Sequence, residues 1–199
     1  MALVMASIPF FTKYVLQIPD SQSTFLFGAV LLIAIAAIGV WAKMIARYSV
    51  VPVWRAALLI LGLGFIPLYF VSSLTSAVLA SAFVGIGFAG VICTMDLIGA
   101  RIIDEDSAAS GVRREAIYSN AIGFMNRLNG LFTSLAFYLV YTFYGFESGE
   151  NPGPNPAQAV RFLLVLFPVL LMAISYLFSR FLDFEDSEEV PHVRAVSHH

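Results

Sequence analysis

The chain has 199 residues, 59 % of them apolar and only 12 % charged, with a mean hydropathy of +0.85 and a formal net charge of −2. That balance excludes an ordinary soluble globular domain, and it offers no basic footprint for nucleic acid. The one cysteine, Cys93, lies in an apolar run and excludes an internal disulfide.

The first segment, residues 1–18, opens MALVMASIPFF with neither a basic n-region nor a convincing small-residue cleavage site, so it reads as a membrane helix rather than a secretory signal. It is short, and Lys13 stands near its far end, where a long side chain snorkels to the interface. Such brevity is expected of a helix whose upstream part is missing. Five further stretches reach or approach the roughly 20 apolar residues that a spanning helix needs. They are 22–43, 52–71, 75–98, 118–144 and 161–180. The connection Glu147 to Gln158, ESGENPGPNPAQ, holds three prolines, two glycines and no basic residue, the composition of an irregular external loop. Residues 182–199 are acidic and polar and read as a disordered cytoplasmic tail behind a membrane domain of residues 1–181.

Loop charge sets the orientation, because short cytoplasmic loops are enriched in Lys and Arg. With the first segment starting inside, Lys43, Arg47, Arg55, Arg101, Arg113, Arg114, Arg180 and Arg194 fall on the cytoplasmic side. Only Lys13 and Arg161 fall outside. Six spans then put both termini in the cytoplasm of a multi-pass protein of the plasma membrane. The fold class expected is an all-α transmembrane bundle.

Arg127 is the only charged residue between Ala116 and Phe146. A guanidinium at the centre of a spanning helix costs about 2.5 to 3.5 kcal/mol even on mild insertion scales, so it faces a partner or a water-filled cavity. On a helix, Asn120, Gly123, Arg127, Gly130, Ser134, Tyr138 and Tyr141 share one face, while the other sides are greasy. A small and polar stripe of this kind suits a helix lining a cavity. The bland alternative is close helix packing through the small residues, with Arg127 tied to a neighbouring carbonyl or carboxylate.

A second stripe, Ala82, Gly85, Ala89, Cys93, Asp96 and Ala100, lies on the segment that starts at residue 75. Asp96 sits about 7 Å from the inner interface and Arg127 about 20 Å, so the depths argue against a direct pair. Asp96 is expected instead to meet Arg47, Arg113 or Arg114 near the cytoplasmic end. Residues 85–90, GIGFAG, match G-x-G-x-x-G literally, but a dinucleotide site needs a strand before it, so these glycines are expected to serve helix packing. Asp104, Glu105 and Asp106 with the distant His192, His198 and His199 lack metal-ligand spacing. No paired catalytic groups share a depth, and an enzyme is not expected. No cofactor is indicated either.

The stretch Ile102 to Leu128, IIDEDSAASGVRREAIYSNAIGFMNRL, resembles the link between the tenth and eleventh helices of the glycoside-pentoside-hexuronide:cation symporters, a branch of the major facilitator superfamily. Asp104, Gly111, Arg113, Arg114, Glu115, Tyr118 and Arg127 fall on that pattern. Phe11 to Gln17 looks like the end of that family's seventh helix, and Ala159 to Arg180 like its twelfth. The likeness covers the chain as the C-terminal six-helix half, and GVRRE with the basic residue downstream is its most specific part. Two departures stand out: Arg101 replaces the aspartate usual before I-I-D, and Arg127 replaces lysine, exchanging a compact ammonium for a planar fork.

The resemblance implies solute:cation symport of a sugar or glycoside by alternating access, with the cavity between two six-helix halves. It implies that the coupling Na+ or H+ is held chiefly by the N-terminal half, which this chain lacks. Arg127 would organise the cavity or couple the two sites, with Asn120, Gly123, Asn126 and Ser134 near the solute, and Asp96, Asp104, Arg113, Arg114 and Glu115 at a cytoplasmic gate. Membrane lipid, a small solute and a facing six-helix half or second copy are the expected partners. A non-transporting scaffold derived from a transporter half, or a lysolipid transporter, are the alternatives.

Overall fold

The structure, a computed structural model, describes residues 2–112, 114–147, 149 and 152–181; the tail assigned to 182–199 lies outside the described residues. Every regular element among them is helical. Helix α1 spans Ala2–Phe11 and continues as a π-helical segment, Thr12–Leu16. It is followed by α2 (Ser23–Tyr48), α3 (Val50–Tyr69), α4 (Leu74–Ser110), α5 (Glu115–Tyr144) and α6 (Pro156–Ser179), the last with a π-helical segment at Phe162–Leu166. The all-α bundle expected from the sequence is therefore the fold observed. Helices α2, α3, α4 and α6 are long and apolar enough to cross a membrane, and α1 is short and apolar. Helix α5 has the length, 30 residues, but its polar stripe makes it the least apolar of the long helices.

Helix α4 departs most from expectation. Its 37 residues run about 55 Å, well beyond the roughly 30 Å of a hydrocarbon core. The apolar run ends at residue 98, and from there the sequence alone predicts a long loop before 118. Instead the helix continues through IIDEDSAAS, where Ser107 and Ser110 donate back to the carbonyls of Ile103 and Asp106 at 2.8 and 2.7 Å. It stops at Gly111, which takes the left-handed conformation at φ 69° that glycine adopts without penalty. At the other end Ser73 caps the helix reciprocally with Ser76. Only Gly111 to Arg114 separates α4 from α5.

Helices α2 and α3 both pack along α4, and glycines set the closeness of that approach. A Cβ on Gly85 would stand 2.6 Å from the Val30 carbonyl oxygen of α2; one on Gly90 would stand 2.6 Å from the Trp41 ring and 2.7 Å from Ala57. One on Gly87 would run into the Leu61 backbone of α3. From α3, Gly64 returns the contact against Phe83 and Val84 at 3.1 Å. Trp41 closes the α2–α4 seam by donating its indole N–H to the Ile86 carbonyl at 2.8 Å. The glycines of residues 85–90 thus serve helix packing, as expected of them without a preceding strand.

The larger core joins α1, the last part of α5 and the first part of α6 to α3 and α4, with Phe11, Leu61, Phe65, Val140 and Leu163 buried to 1 % exposure or less. Hydroxyls in this region are paired: Thr12 and Ser23 lie 2.9 Å apart, and Tyr14 donates to the Gly149 carbonyl at 3.1 Å. At the opposite end Arg55 of α3 donates through Nε and Nη2 to the Ser179 carbonyl at the end of α6, at 3.2 and 2.8 Å. A cation here satisfies a terminal carbonyl and complements the helix dipole.

A lone residue, Ser49, joins α2 to α3, with φ 65° and ψ 171°. That region is essentially restricted to glycine, and a side chain there costs about 1 to 3 kcal/mol. Ser49→Gly should therefore raise the thermal unfolding midpoint of the purified protein, and an unchanged or lowered midpoint would show that the serine is unstrained.

Candidate functional site

Helix α5 carries the stripe that the sequence singled out. From Glu115 to Leu135 its side chains are exposed or half-buried, and only Ala136 and Val140 are buried within the helix. The reason is geometric. Helix α1 runs beside α5 only near its C-terminal end, where the Phe10 and Phe137 rings meet edge-on at 5.9 Å and Tyr14 meets Phe146 at 5.7 Å. Helix α6 reaches the same end through Phe162, 5.9 Å from Tyr144. The 15 residues of α1 and its π segment cannot accompany 30 residues of α5 along their whole length.

Arg127 sits about 18 Å along α5 from Glu115 and about 26 Å before Tyr144. Its side chain is exposed and makes no hydrogen bond, ion pair or ring contact among the described residues. Asn120, Gly123, Asn126, Gly130 and Ser134 are exposed beside it. A Cβ added at Gly123 or Gly130 would meet nothing within 4 Å. Close packing through these small residues is thus not realised among the described residues. The stripe instead forms an open polar surface around one cation.

The stripe on α4 behaves differently. Gly85 and Ala89 are buried, Ala82 and Cys93 half-buried, and Asp96 and Ala100 exposed. Its first part is a packing face rather than a cavity wall. Asp96 forms no ion pair with Arg47 or Arg114 among the described residues, and the third expected partner, Arg113, lies outside them. Arg47 lies over the neighbouring Tyr48 ring at 5.3 Å. Arg114 instead approaches Asp106, with Nη1 and Oδ1 3.9 Å apart across the short α4–α5 turn. At that distance and with the Arg114 side chain 48 % exposed, the pair is weak. Asp104 is exposed, Glu115 opens α5, and Arg113 lies outside the described residues.

Sequence reasoning passed over Asp106 as part of a solvated cluster, because it assigned the segment to a loop. On a helix running to Ser110, Asp106 falls one turn before the end, within reach of the chain as it turns back. Also unforeseen was Arg161 near the start of α6, which donates to the Val71 carbonyl at 3.3 Å and lies 5.8 Å from the Tyr69 ring. Its buried Nε has no partner among the described residues. Charge counting saw Arg161 only as a minority external residue.

The arrangement can therefore offer a cation within a polar surface on one unaccompanied helix, beside a bundle whose grooves are lined by apolar side chains. Comparison with known proteins returned one finding and two blanks. Residues 1–186 match the family model described as MFS/sugar transport protein. No curated protein and no solved structure matches the chain.

Proposed function

Because the chain belongs to the MFS/sugar transport protein family, and is a multi-pass membrane protein of the transporter kind, we propose that it is the C-terminal half of a solute:cation symporter for a sugar or glycoside. The branch that it resembles is the glycoside-pentoside-hexuronide:cation symporters. Arg127, without a partner among the described residues on the exposed stripe of α5, carries this reading. A guanidinium turned to lipid is costly, so that surface belongs against water and protein. A second six-helix half, or a second copy, would supply the facing wall, and the solute cavity would lie between the two.

In that setting Arg127 would hold solute hydroxyls or a carboxylate of the facing half through its planar fork of donors. Asn120, Gly123, Asn126 and Ser134 would line the same wall, and the coupling Na+ or H+ would sit chiefly on the facing half. Asp96, Asp104, Arg113, Arg114 and Glu115 would form the cytoplasmic gate that rearranges as the halves rock. The excess of basic residues at the end bearing Arg47, Arg55, Arg114 and Arg180 supports termini in the cytoplasm and insertion in the plasma membrane.

Uptake tests the reading directly. Proteoliposomes holding the protein with its facing half should accumulate a labelled glycoside when an inward Na+ or H+ gradient is imposed, and unlabelled sugars should compete. Competition by lysolipids alone would move the substrate class to lysolipids. Absence of uptake, with no solute-dependent change in stability, would make the chain a scaffold and end the transporter proposal.

A further inference from the structure

The last turns of α5 carry Phe137, Tyr138, Tyr141, Phe143 and Tyr144, and these aromatic side chains divide by their surroundings. Phe137 packs on Phe10 and Tyr144 on Phe162, so both belong to the bundle. Tyr138 and Tyr141 are 63 % and 53 % exposed, and neither makes a ring contact or a hydroxyl hydrogen bond among the described residues. Phe143 is exposed as well.

The exposed rings are sorted around the helix. At 3.6 residues per turn Tyr138 and Tyr141 fall about 20° and 40° to either side of the line through Arg127, whereas Phe143 falls about 160° from it. The rings that carry a hydroxyl thus continue the polar stripe, and the one that carries none leaves it. Three residues apart, the two tyrosines are neighbours on the helix and present one surface. One turn before Tyr138, Ser134 adds an exposed hydroxyl that has no hydrogen bond among the described residues. Tyrosines at a membrane boundary commonly anchor a helix in the headgroups. These two share their line with a guanidinium, which is costly against lipid, so the line faces water or protein along its length.

Resting on the sugar-transport reading of the Arg127 face, we propose that Tyr138 and Tyr141 form a second sugar site, a platform on which a pyranoside lands before it reaches Arg127. A pyranose ring carries C–H groups on its flat faces and hydroxyls around its edge. Tyrosine answers both, with an apolar ring and a phenolic hydroxyl that donates and accepts. An acyl chain on the same surface would leave the hydroxyls of Ser134, Tyr138 and Tyr141 unmatched. Tyr138 stands about 16 Å along the helix from Arg127, farther than one sugar ring spans, so the two do not hold the same ring. On the orientation proposed above, the platform lies on the outer side of the membrane, where a solute arrives. It narrows the solute to cyclic sugars with an open C–H face.

Concentration-dependent uptake of a labelled pyranoside, by the full protein reconstituted with its facing half, tests the platform. Replacing both tyrosines with alanine should raise the half-saturating concentration about tenfold and leave the maximal rate unchanged, the loss expected of an aromatic contact. Replacing both with phenylalanine keeps the rings and should raise it only about threefold, the share of the hydroxyls. A role as lipid anchors would instead lower the maximal rate, through the amount of inserted protein, without moving half-saturation. Uptake by the unaltered protein with unchanged half-saturation in the alanine pair would overturn the platform and leave the transport reading standing. Loss of the facing half on purification of the alanine pair, again with half-saturation unmoved, would make this surface a contact between halves and overturn it too. No uptake by the unaltered protein would remove both readings. Should the alanine pair fail to insert, the phenylalanine pair decides, and unchanged half-saturation there counts against the platform.

Discussion

Replacing Arg127 with glutamine should reduce gradient-driven solute uptake by about 30-fold or more, while Arg127→Lys should retain a measurable part of it. The magnitude follows from the proposed setting, in which Arg127 faces a carboxylate of a second half: removing one member of a buried, hydrogen-bonded charge pair costs about 2 to 5 kcal/mol because the partner charge is left behind. Glutamine keeps most of the length and some of the hydrogen bonding, so loss in this variant isolates charge. The lysine variant separates charge from the planar fork, and lysine is the residue that the resembling family commonly has here. Bundle stability offers an internal control. Arg127 is exposed and makes no hydrogen bond or ion pair among the described residues, so the glutamine variant should unfold at an unchanged or higher temperature. Undiminished uptake with undiminished cation dependence would remove Arg127 from the transport mechanism. A lowered unfolding midpoint would instead make the arginine a structural tie.

The second large effect concerns stability. Gly87→Leu should lower the unfolding midpoint severely and Gly87→Ala clearly, since the first added carbon already meets the Leu61 backbone of α3, which has no flexible end to move aside. Overpacking of this kind costs about 1 to 3 kcal/mol or more. The matched control is Gly99→Ala on the same helix, where an added Cβ would meet nothing within 4 Å. There the substitution should be neutral or stabilising by up to about 1 kcal/mol, as expected when a helix-interior glycine is replaced without a clash. Gly123→Ala and Gly130→Ala on α5 should resemble the control. Equal effects at Gly87 and Gly99 would mean that α3 and α4 do not approach as closely as described.

These two expectations also separate what the residues alone could reveal from what they could not. The order of six helices was legible because apolar runs of spanning length announce themselves, and α2, α3 and α6 fall within a few residues of their expected bounds. The role of GIGFAG was legible too, because no strand could precede it. The length of α4 was not. A charged run after Ile98 suggested a loop, whereas alanines, two back-bonded serines and a terminal glycine sustain a helix that leaves the membrane without unwinding. That misreading hid Asp106 and set Asp96 beside Arg47 and Arg114, with which it forms no ion pair among the described residues. The stripe on α5 was legible as periodicity, but periodicity cannot distinguish a small residue that packs from one that leaves space. Gly85 and Gly123 look alike in the sequence, yet one abuts a neighbouring helix and the other is open.

The one-residue link at Ser49 constrains how the bundle is made. A single residue reaches no more than about 3.6 Å, so the end of α2 and the beginning of α3 lie side by side at one end of the bundle. The two helices must therefore run in opposite directions from a common point, and neither can shift along its axis without carrying the end of the other with it. What fills the space between them is α4, against which each packs far more than against the other, so its glycines close a unit that the link alone only aligns.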